Sequence, residues 1–380
     1  MAISRFYLPT RFFIGQGSLS ELGKQASRLG KIALLVTGSQ SMRRTGVLDK
    51  VKDDLEANGV KVILFDRVEP NPRASTIDAG AKLARENGAQ VVIGLGGGST
   101  MDASKLIAVA SGGEDPIFAC YEGKATLKGK GLPIILVPTL AATGSEANNG
   151  AVFTNWDTHE KVVYSTGSMY PSVSIVDPAL TLTVPARITA QGCVDIFCHL
   201  VEPYLTASDA TQINDSLREA CMRTAVESLP PLLKKLDDLE LRSRVSWAST
   251  IACSQFAGLG GGSGLMSLHA IEHALSGEYD IAHGDGLAAL LIEWMKFTQP
   301  ARQERFKLLG KNVFGQADGI AATAKWLEKV GMNLKLNSLG IKNPDFDKLA
   351  ENALKTGPWA KFNPVPLDKA SIATIYKKSF

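Results

Sequence analysis

Short β-branched runs alternate with amphipathic stretches through the first half of this chain, the pattern of a parallel sheet wrapped by helices. Apolar runs at 32–36, 62–65, 91–95, 134–137 and 174–176 predict strands, with helical periodicity at 48–58, 75–87 and 102–110 between them. A further edge strand is expected at Arg11–Ile14. After Val184-Pro185 the strands stop and long helical patterns take over, as at 193–205 and 214–229. A proline opening such a run suits the first turn of a helix. The textures predict an α/β domain over 1–183 and an all-helical domain over 184–380, with the glycine-rich stretch 258–264 as a break between two helices.

Composition supports that division. A chain of 380 residues suits two domains, each able to bury most of its apolar surface. With 45% hydrophobic and 21% charged residues and a net charge of +3, it reads as folded, with no polyanionic partner, so nucleic acid is not expected. The opening MAISRFYLPTRFFIGQG lacks the apolar core of about 7 to 15 residues that marks a secretory leader. Nowhere do about 20 apolar residues run together, so no membrane contact is expected and the location is read as cytoplasmic. Five cysteines, an odd number with no C-x-x-C pair, read as buried thiols in a reducing compartment.

The segment Val91-Val92-Ile93-Gly94-Leu95-Gly96-Gly97-Gly98-Ser99-Thr100-Met101-Asp102 runs from a strand through glycines into a helix. Such a turn lets backbone approach a pyrophosphate while the helix N-terminus supplies N–H donors, a Rossmann-like nucleotide site. It differs from the usual fingerprint, which follows the first strand and has an acidic residue about 20 positions on. That rule would nominate Asp66, at the end of the second strand, as the ribose ligand. A second polar loop, Pro138-Thr139-Leu140-Ala141-Ala142-Thr143-Gly144-Ser145-Glu146, follows the fourth strand. Two loops at the carboxyl ends of parallel strands form the crevice where open α/β sheets bind ligands.

Four of the five histidines fall between residues 199 and 283. Asp195-x-x-x-His199 puts a carboxylate and an imidazole one turn apart on a helical face, and His269-x-x-x-His273 does the same with two imidazoles. His283 follows ten residues on. Such pairs from two helices can grip one cation, and an Asp with three His suits Fe(II) or Zn(II). His159 stands outside the cluster as a surface residue.

These residues together resemble the iron-containing (group III) alcohol dehydrogenase family, in particular its butanol dehydrogenase-like, NADPH-using aldehyde reductases. The likeness spans nearly the whole chain: Pro70-Asn71-Pro72, the Gly96-Gly97-Gly98-Ser99 turn with Asp102, Thr139 and Thr143, then Asp195, His199, Glu202, His269, His273 and His283. It implies a nucleotide domain, a helical domain, a catalytic metal in the cleft between them, and a homodimer. By that resemblance Asp195, His199, His269 and His283 are the metal ligands, and His273 is a catalytic neighbour of nicotinamide and substrate that relays a proton. Gly96, Gly97, Gly98, Ser99 and Asp102 hold the pyrophosphate, Thr139 and Thr143 contact the cofactor, and Glu202 supports rather than binds.

NAD-preferring members are expected to carry an Asp just after the first strand, in Val-Thr-Asp. Here the stretch reads Val36-Thr37-Gly38-Ser39-Gln40-Ser41-Met42-Arg43-Arg44. Without that carboxylate a 2'-phosphate is not repelled, and Ser39, Ser41 and one of the arginines are able to donate to it. NADP(H) is therefore expected over NAD(H), and Fe(II) ahead of Zn(II). One departure is the segment before His269, which is glycine-richer than the family pattern and leaves substrate size open. The activity implied is hydride transfer between the dinucleotide and a small primary alcohol or aldehyde. The alternative is a dehydroquinate synthase-like, metal- and NAD-dependent lyase, although no basic cluster for a phosphorylated sugar acid is evident in the helical half.

Overall fold

The computed structural model describes residues 6–259 and 264–380, so most of the glycine-rich stretch expected as an interhelical break lies outside the described residues. Strands β1 (Arg11–Ile14), β2 (Ile32–Gly38), β3 (Lys61–Val68), β4 (Val91–Gly96), β5 (Ile134–Pro138) and β8 (Val173–Val176) form one sheet in the order β1-β8-β5-β4-β2-β3. Every neighbouring pair is parallel. Helices cover both faces of such a sheet, which is why its central strands read as unbroken apolar runs. Leu34, Leu35, Val36, Ile93, Leu95, Ile135 and Val137 are fully buried, and β4 is buried from end to end. The helix Gly98–Ala110 packs on that strand, where Ser104 lies against Gly94, and its Ala103, Leu106, Ile107 and Ala108 do not reach solvent.

A hairpin not anticipated from the apolar pattern, β6 (Gly150–Asn155) with β7 (Glu160–Ser165), forms a separate two-stranded sheet. Its signal was present: Ala-Val-Phe-Thr and Lys-Val-Val-Tyr flank a polar turn in which His159 takes a left-handed conformation.

The chain groups into two compact units. One comprises Leu8–Thr158 and Val163–Thr183; the other is chiefly Val184–Phe380 and includes His159–Val162. The second unit is built from helices, among them Ala186–Thr206, Gln212–Lys234, Leu239–Ala252, Ser267–Tyr279 and His283–Thr298. The helix expected to stop at residue 229 runs on through Pro230 and Pro231 to Lys234. Each proline removes its own N–H bond and crowds the carbonyl four residues before it, but the buried Leu232 keeps the last turn docked. Among the described residues no helix is long and apolar enough to cross a membrane. All five cysteines are free thiols; four are buried and Cys253 is half-buried.

Candidate functional site

The helical unit gathers the cluster of acidic and imidazole groups. Helix Ala186–Thr206 presents Asp195 and His199, helix Ser267–Tyr279 presents His269 and His273, and His283 opens the helix His283–Thr298. Three imidazoles turn their Nε2 atoms toward one oxygen, Asp195 Oδ1, which lies 3.4 Å from His199, 3.5 Å from His269 and 3.7 Å from His283. Asp195 Oδ1 and His269 Nε2 are shut off from solvent, and neither makes a hydrogen bond. Buried polar atoms rarely lack a partner. Four that converge on one point without bonding to each other are placed to share a further group.

The backs of the rings identify that group as a cation. His269 Nδ1–H donates to Glu202 Oε1, and His283 Nδ1–H donates to Glu272 Oε2. A carboxylate holding the Nδ1 proton makes Nε2 the ring atom that offers a lone pair once a metal has displaced any proton there, the arrangement seen behind metal-bound imidazoles. Glu202 is itself anchored, since its Oε2 accepts from the backbone N–H of Leu268 at 2.6 Å and of His269 at 3.3 Å. One carboxylate oxygen and three imidazole nitrogens form a borderline set that fits Fe(II) or Zn(II). His273 is not among the rings that approach Asp195 Oδ1: its ring centroid lies 5.5 Å from that of His283 and 6.3 Å from that of His269, and one of its ring nitrogens lies within 4.8 Å of ligand atoms of Glu272 and His283.

Burial works against the charged form of Asp195, but His199, His283 and His269 outweigh it and hold the carboxyl well below its usual range. Burial, then the neighbouring His269, push His199 down to about 3. At His269 burial opposes the charge, yet the Glu202 and Asp195 carboxylates carry it up to about 10. Burial, then the Lys161 ammonium, keep His273 far below the ordinary histidine value. His199 and His273 are therefore neutral at physiological pH, with ring lone pairs to offer.

On the α/β unit, the glycine turn joins β4 to the N-terminus of helix Gly98–Ala110. The second polar loop is tied to it, because Thr139 N donates to Gly96 O at 3.0 Å. A side chain at Gly96 would strike Thr100, and one at Gly98 would strike Thr143. At Gly97 the nearest atom to an added Cβ would be Leu140 at 3.7 Å, an ordinary contact. Gly96 and Gly98 are thus needed for packing, whereas Gly97 leaves backbone open to a ligand. Ser39 and Ser41 are exposed beyond β2, where Gly38 ends the strand and Ser41 opens the short helix Ser41–Arg44.

The comparisons with known proteins agree with this geometry. Residues 9–178 match the iron-containing alcohol dehydrogenase family and residues 189–380 match the C-terminal domain of the Fe-containing alcohol dehydrogenase family. The chain belongs to the iron-containing alcohol dehydrogenase family. It is 35% identical to NADH-dependent butanol dehydrogenase B of Clostridium acetobutylicum, over 98% of each chain. It is 30% identical to the NADPH-dependent aldehyde reductase YqhD of Escherichia coli K12, over 92% of each. Among solved structures, an NADH-dependent butanol dehydrogenase A from Thermotoga maritima superposes with a TM-score of 0.94 at 33% identity, covering 99% of this chain and 98% of that one. This iron-containing alcohol dehydrogenase is accordingly a metal- and nicotinamide-dependent oxidoreductase, and the lyase alternative falls away.

Within this dehydrogenase several side chains differ from their expected positions. Asp102, expected at the cofactor, is turned inward: Oδ1 accepts from Ser145 Oγ at 2.6 Å and Oδ2 from Val152 N at 2.9 Å. Its carboxylate fastens the second loop to the helix of the first instead of facing a pyrophosphate. Lys105, one turn on and fully buried, does the same by donating to Asn148 Oδ1 at 3.0 Å and Gly150 O at 2.8 Å. His159 is half-buried rather than superficial, with Nδ1 3.2 Å from Gly277 O. Glu272 and Lys161 were missed altogether. Lys161 Nζ donates to Ser276 Oγ at 2.8 Å inside the helical unit, and its charge helps hold the Glu272 carboxyl low after His283 has done so.

Proposed function

We propose that this alcohol dehydrogenase interconverts small primary alcohols and aldehydes with NADP(H) in preference to NAD(H), using Fe(II) or, failing that, Zn(II). The observation that carries the reading is the convergence of three imidazole Nε2 atoms on Asp195 Oδ1, with two of the rings braced from behind by Glu202 and Glu272. Asp195, His199, His269 and His283 would hold the cation. When bound, the cation supplies Lewis acidity at a substrate oxygen and the nicotinamide gives or takes the hydride. Glu202 and Glu272 keep the Nε2 lone pairs of His269 and His283 aimed inward. His273, neutral and buried beside His283, takes the hydroxyl proton on a ring nitrogen during oxidation and returns it during reduction.

On the α/β unit, the N–H groups of Gly97, Gly98 and Ser99 at the helix start would hold the pyrophosphate, with Thr139 and Thr143 on the adjoining loop. The NADP(H) preference is supported by the absence of a carboxylate at 38–41, where Gly38, Ser39 and Ser41 stand instead, with Arg43 two residues on. Butanol dehydrogenases named for NADH are 32–35% identical to this chain, nearer than the NADPH-dependent aldehyde reductase at 30%, so the preference rests on these local residues alone. A homodimer in the cytoplasm completes the proposal, the first part following the family resemblance and the second supported by five unpaired thiols.

The test is oxidation of NADPH and NADH with short-chain aldehydes by protein stripped with a chelator and then given Fe(II) or Zn(II). Turnover should vanish on stripping, return with metal, and favour NADPH in kcat/KM. Undiminished turnover in stripped protein would refute the metal assignment, and a higher kcat/KM with NADH would refute the cofactor preference.

A further inference from the structure

The geometry points to Asp66 as a residue that sets cofactor discrimination, by competing with the 2'-phosphate of NADP(H) for the guanidinium of Arg43. The inference rests on the dinucleotide reading above. It begins in the sheet. Val36 of β2 pairs with Phe65 of β3, but Gly38 pairs with Val68, so two steps along β2 match three along β3. The extra residue is a bulge at Asp66-Arg67, at the carboxyl end of the strand. Such bulges re-aim side chains and gather next to sites. This one lets Phe65 and Val68 both bury while Asp66 and Arg67 both stay at the surface.

Thus re-aimed, the Asp66 carboxylate meets Arg43, which projects from the short helix after β2, and Arg43 Nη2 donates to Asp66 Oδ2. Arg43 follows Ser41 by two residues in sequence, the stretch at which the reading above puts the 2'-phosphate. The Arg43 side chain is 54% exposed and the Asp66 side chain 31%, so water and ligand reach both. Arg44, also exposed, has no ion pair among the described residues. The hydrogen bond from Arg43, against a small burial penalty, keeps Asp66 ionised.

Two consequences follow from ordinary electrostatics. An exposed Arg–carboxylate pair is weak, and a phosphate dianion offers the guanidinium a stronger, bidentate partner. Arg43 therefore leaves Asp66 when NADP(H) binds. The bare carboxylate then stands near the incoming phosphate and repels it. NAD(H) provokes neither change, since without a 2'-phosphate Arg43 stays on Asp66. Asp66 thus lowers NADP(H) affinity selectively and holds the two cofactors closer together than the residues at 38–41 alone would place them.

The experiment is calorimetric titration of the metal-loaded enzyme and its Asp66→Asn and Arg43→Gln variants with NADP+, NAD+ and 2',5'-ADP. Asp66→Asn should tighten NADP+ and 2',5'-ADP about three- to tenfold and leave NAD+ within about twofold. Arg43→Gln should weaken NADP+ and 2',5'-ADP by about tenfold or more, again sparing NAD+. Equal affinities in the wild type and Asp66→Asn would reduce the pair to a surface contact and overturn the inference. Selective loss of NAD+ affinity in Asp66→Asn would overturn it too, by showing that the carboxylate holds ribose hydroxyls. The wild-type ratio of NADP+ to NAD+ affinity judges the cofactor preference proposed above, whereas the change on substitution judges Asp66, so the two fail separately.

Discussion

Replacing Glu202 by Gln changes a single atom in the brace behind the metal-binding rings, and the structure dictates its cost. Each oxygen of Glu202 has a separate duty: Oε1 receives His269 Nδ1–H, and Oε2 receives the backbone N–H of Leu268 and of His269. An amide has one acceptor oxygen. If that oxygen stays on Nδ1–H, the NH2 group confronts two backbone donors in a site closed to water. If it turns to the backbone, the NH2 faces Nδ1, the tautomer inverts, and a proton appears on Nε2 where the lone pair is needed. Either arrangement loses about 1 to 3 kcal/mol, which is about 5- to 150-fold in metal affinity. The assay is competition for Zn(II) or Fe(II) against a chromophoric chelator, with Tm measured on stripped and loaded protein. Glu272→Gln is the matched control. Glu272 Oε1 has no hydrogen-bond partner, so the amide can keep its oxygen on His283 Nδ1–H without setting two donors face to face. It should lose less affinity than Glu202→Gln, while its lost attraction to Lys161 appears in Tm. Metal affinity of Glu202→Gln within about twofold of wild type would refute the brace.

Other outcomes follow from the same geometry. Gly97→Ala suits a backbone at φ −80° and meets nothing closer than 3.7 Å, so Tm should hold while NADP+ affinity falls by about tenfold; unchanged affinity would remove Gly97 from the pyrophosphate turn. Lys105→Met takes the ammonium donor from Gly150 O and from Asn148 Oδ1, which keeps the Gly150 N–H at 2.9 Å, and should lower stability by about 1 to 3 kcal/mol and raise the KM for cofactor more than it changes kcat, a split that simple loss of folded protein does not produce. Because carboxylates hold His269 up to about 10, stripped protein keeps a second ring proton below that pH, and metal uptake must expel it. Apparent metal affinity should therefore climb as pH rises toward about 10 and then level, with about one proton released per metal near pH 8 in calorimetry across buffers of different protonation enthalpy; no release there would contradict the assigned imidazolium.

Much of this was legible in the chain because the relevant spacings are local. Five of the six strands of the main sheet announced themselves as apolar runs because parallel strands bury both faces. Asp195 and His199, and His269 and His273, declared themselves by the helical period. Glu272 did not: its partner His283 lies eleven residues away on another helix, and no periodicity links the two. Lys161 lies in the short segment His159–Val162, whose grouping with the helical unit depends on tertiary contacts that no local pattern encodes. Asp102 was placed at the cofactor because it shares the glycine segment, yet its position one turn into the helix lets it reach Ser145 and Val152 instead. Sequence proximity to a motif indicated the neighbourhood and missed the task.

The bracing carboxylates carry one last implication, for assembly. Glu202 rides on helix Ala186–Thr206 but steadies a ring on Ser267–Tyr279, and Glu272 rides on Ser267–Tyr279 but steadies a ring on His283–Thr298. The three rods are thereby pinned in series, like links closed one through the next. Sliding any of them by a single turn, about 5.4 Å, parts a carboxylate from its ring and spoils a ligand it does not itself carry. Docking of these rods and formation of the proposed metal site are thereby coupled.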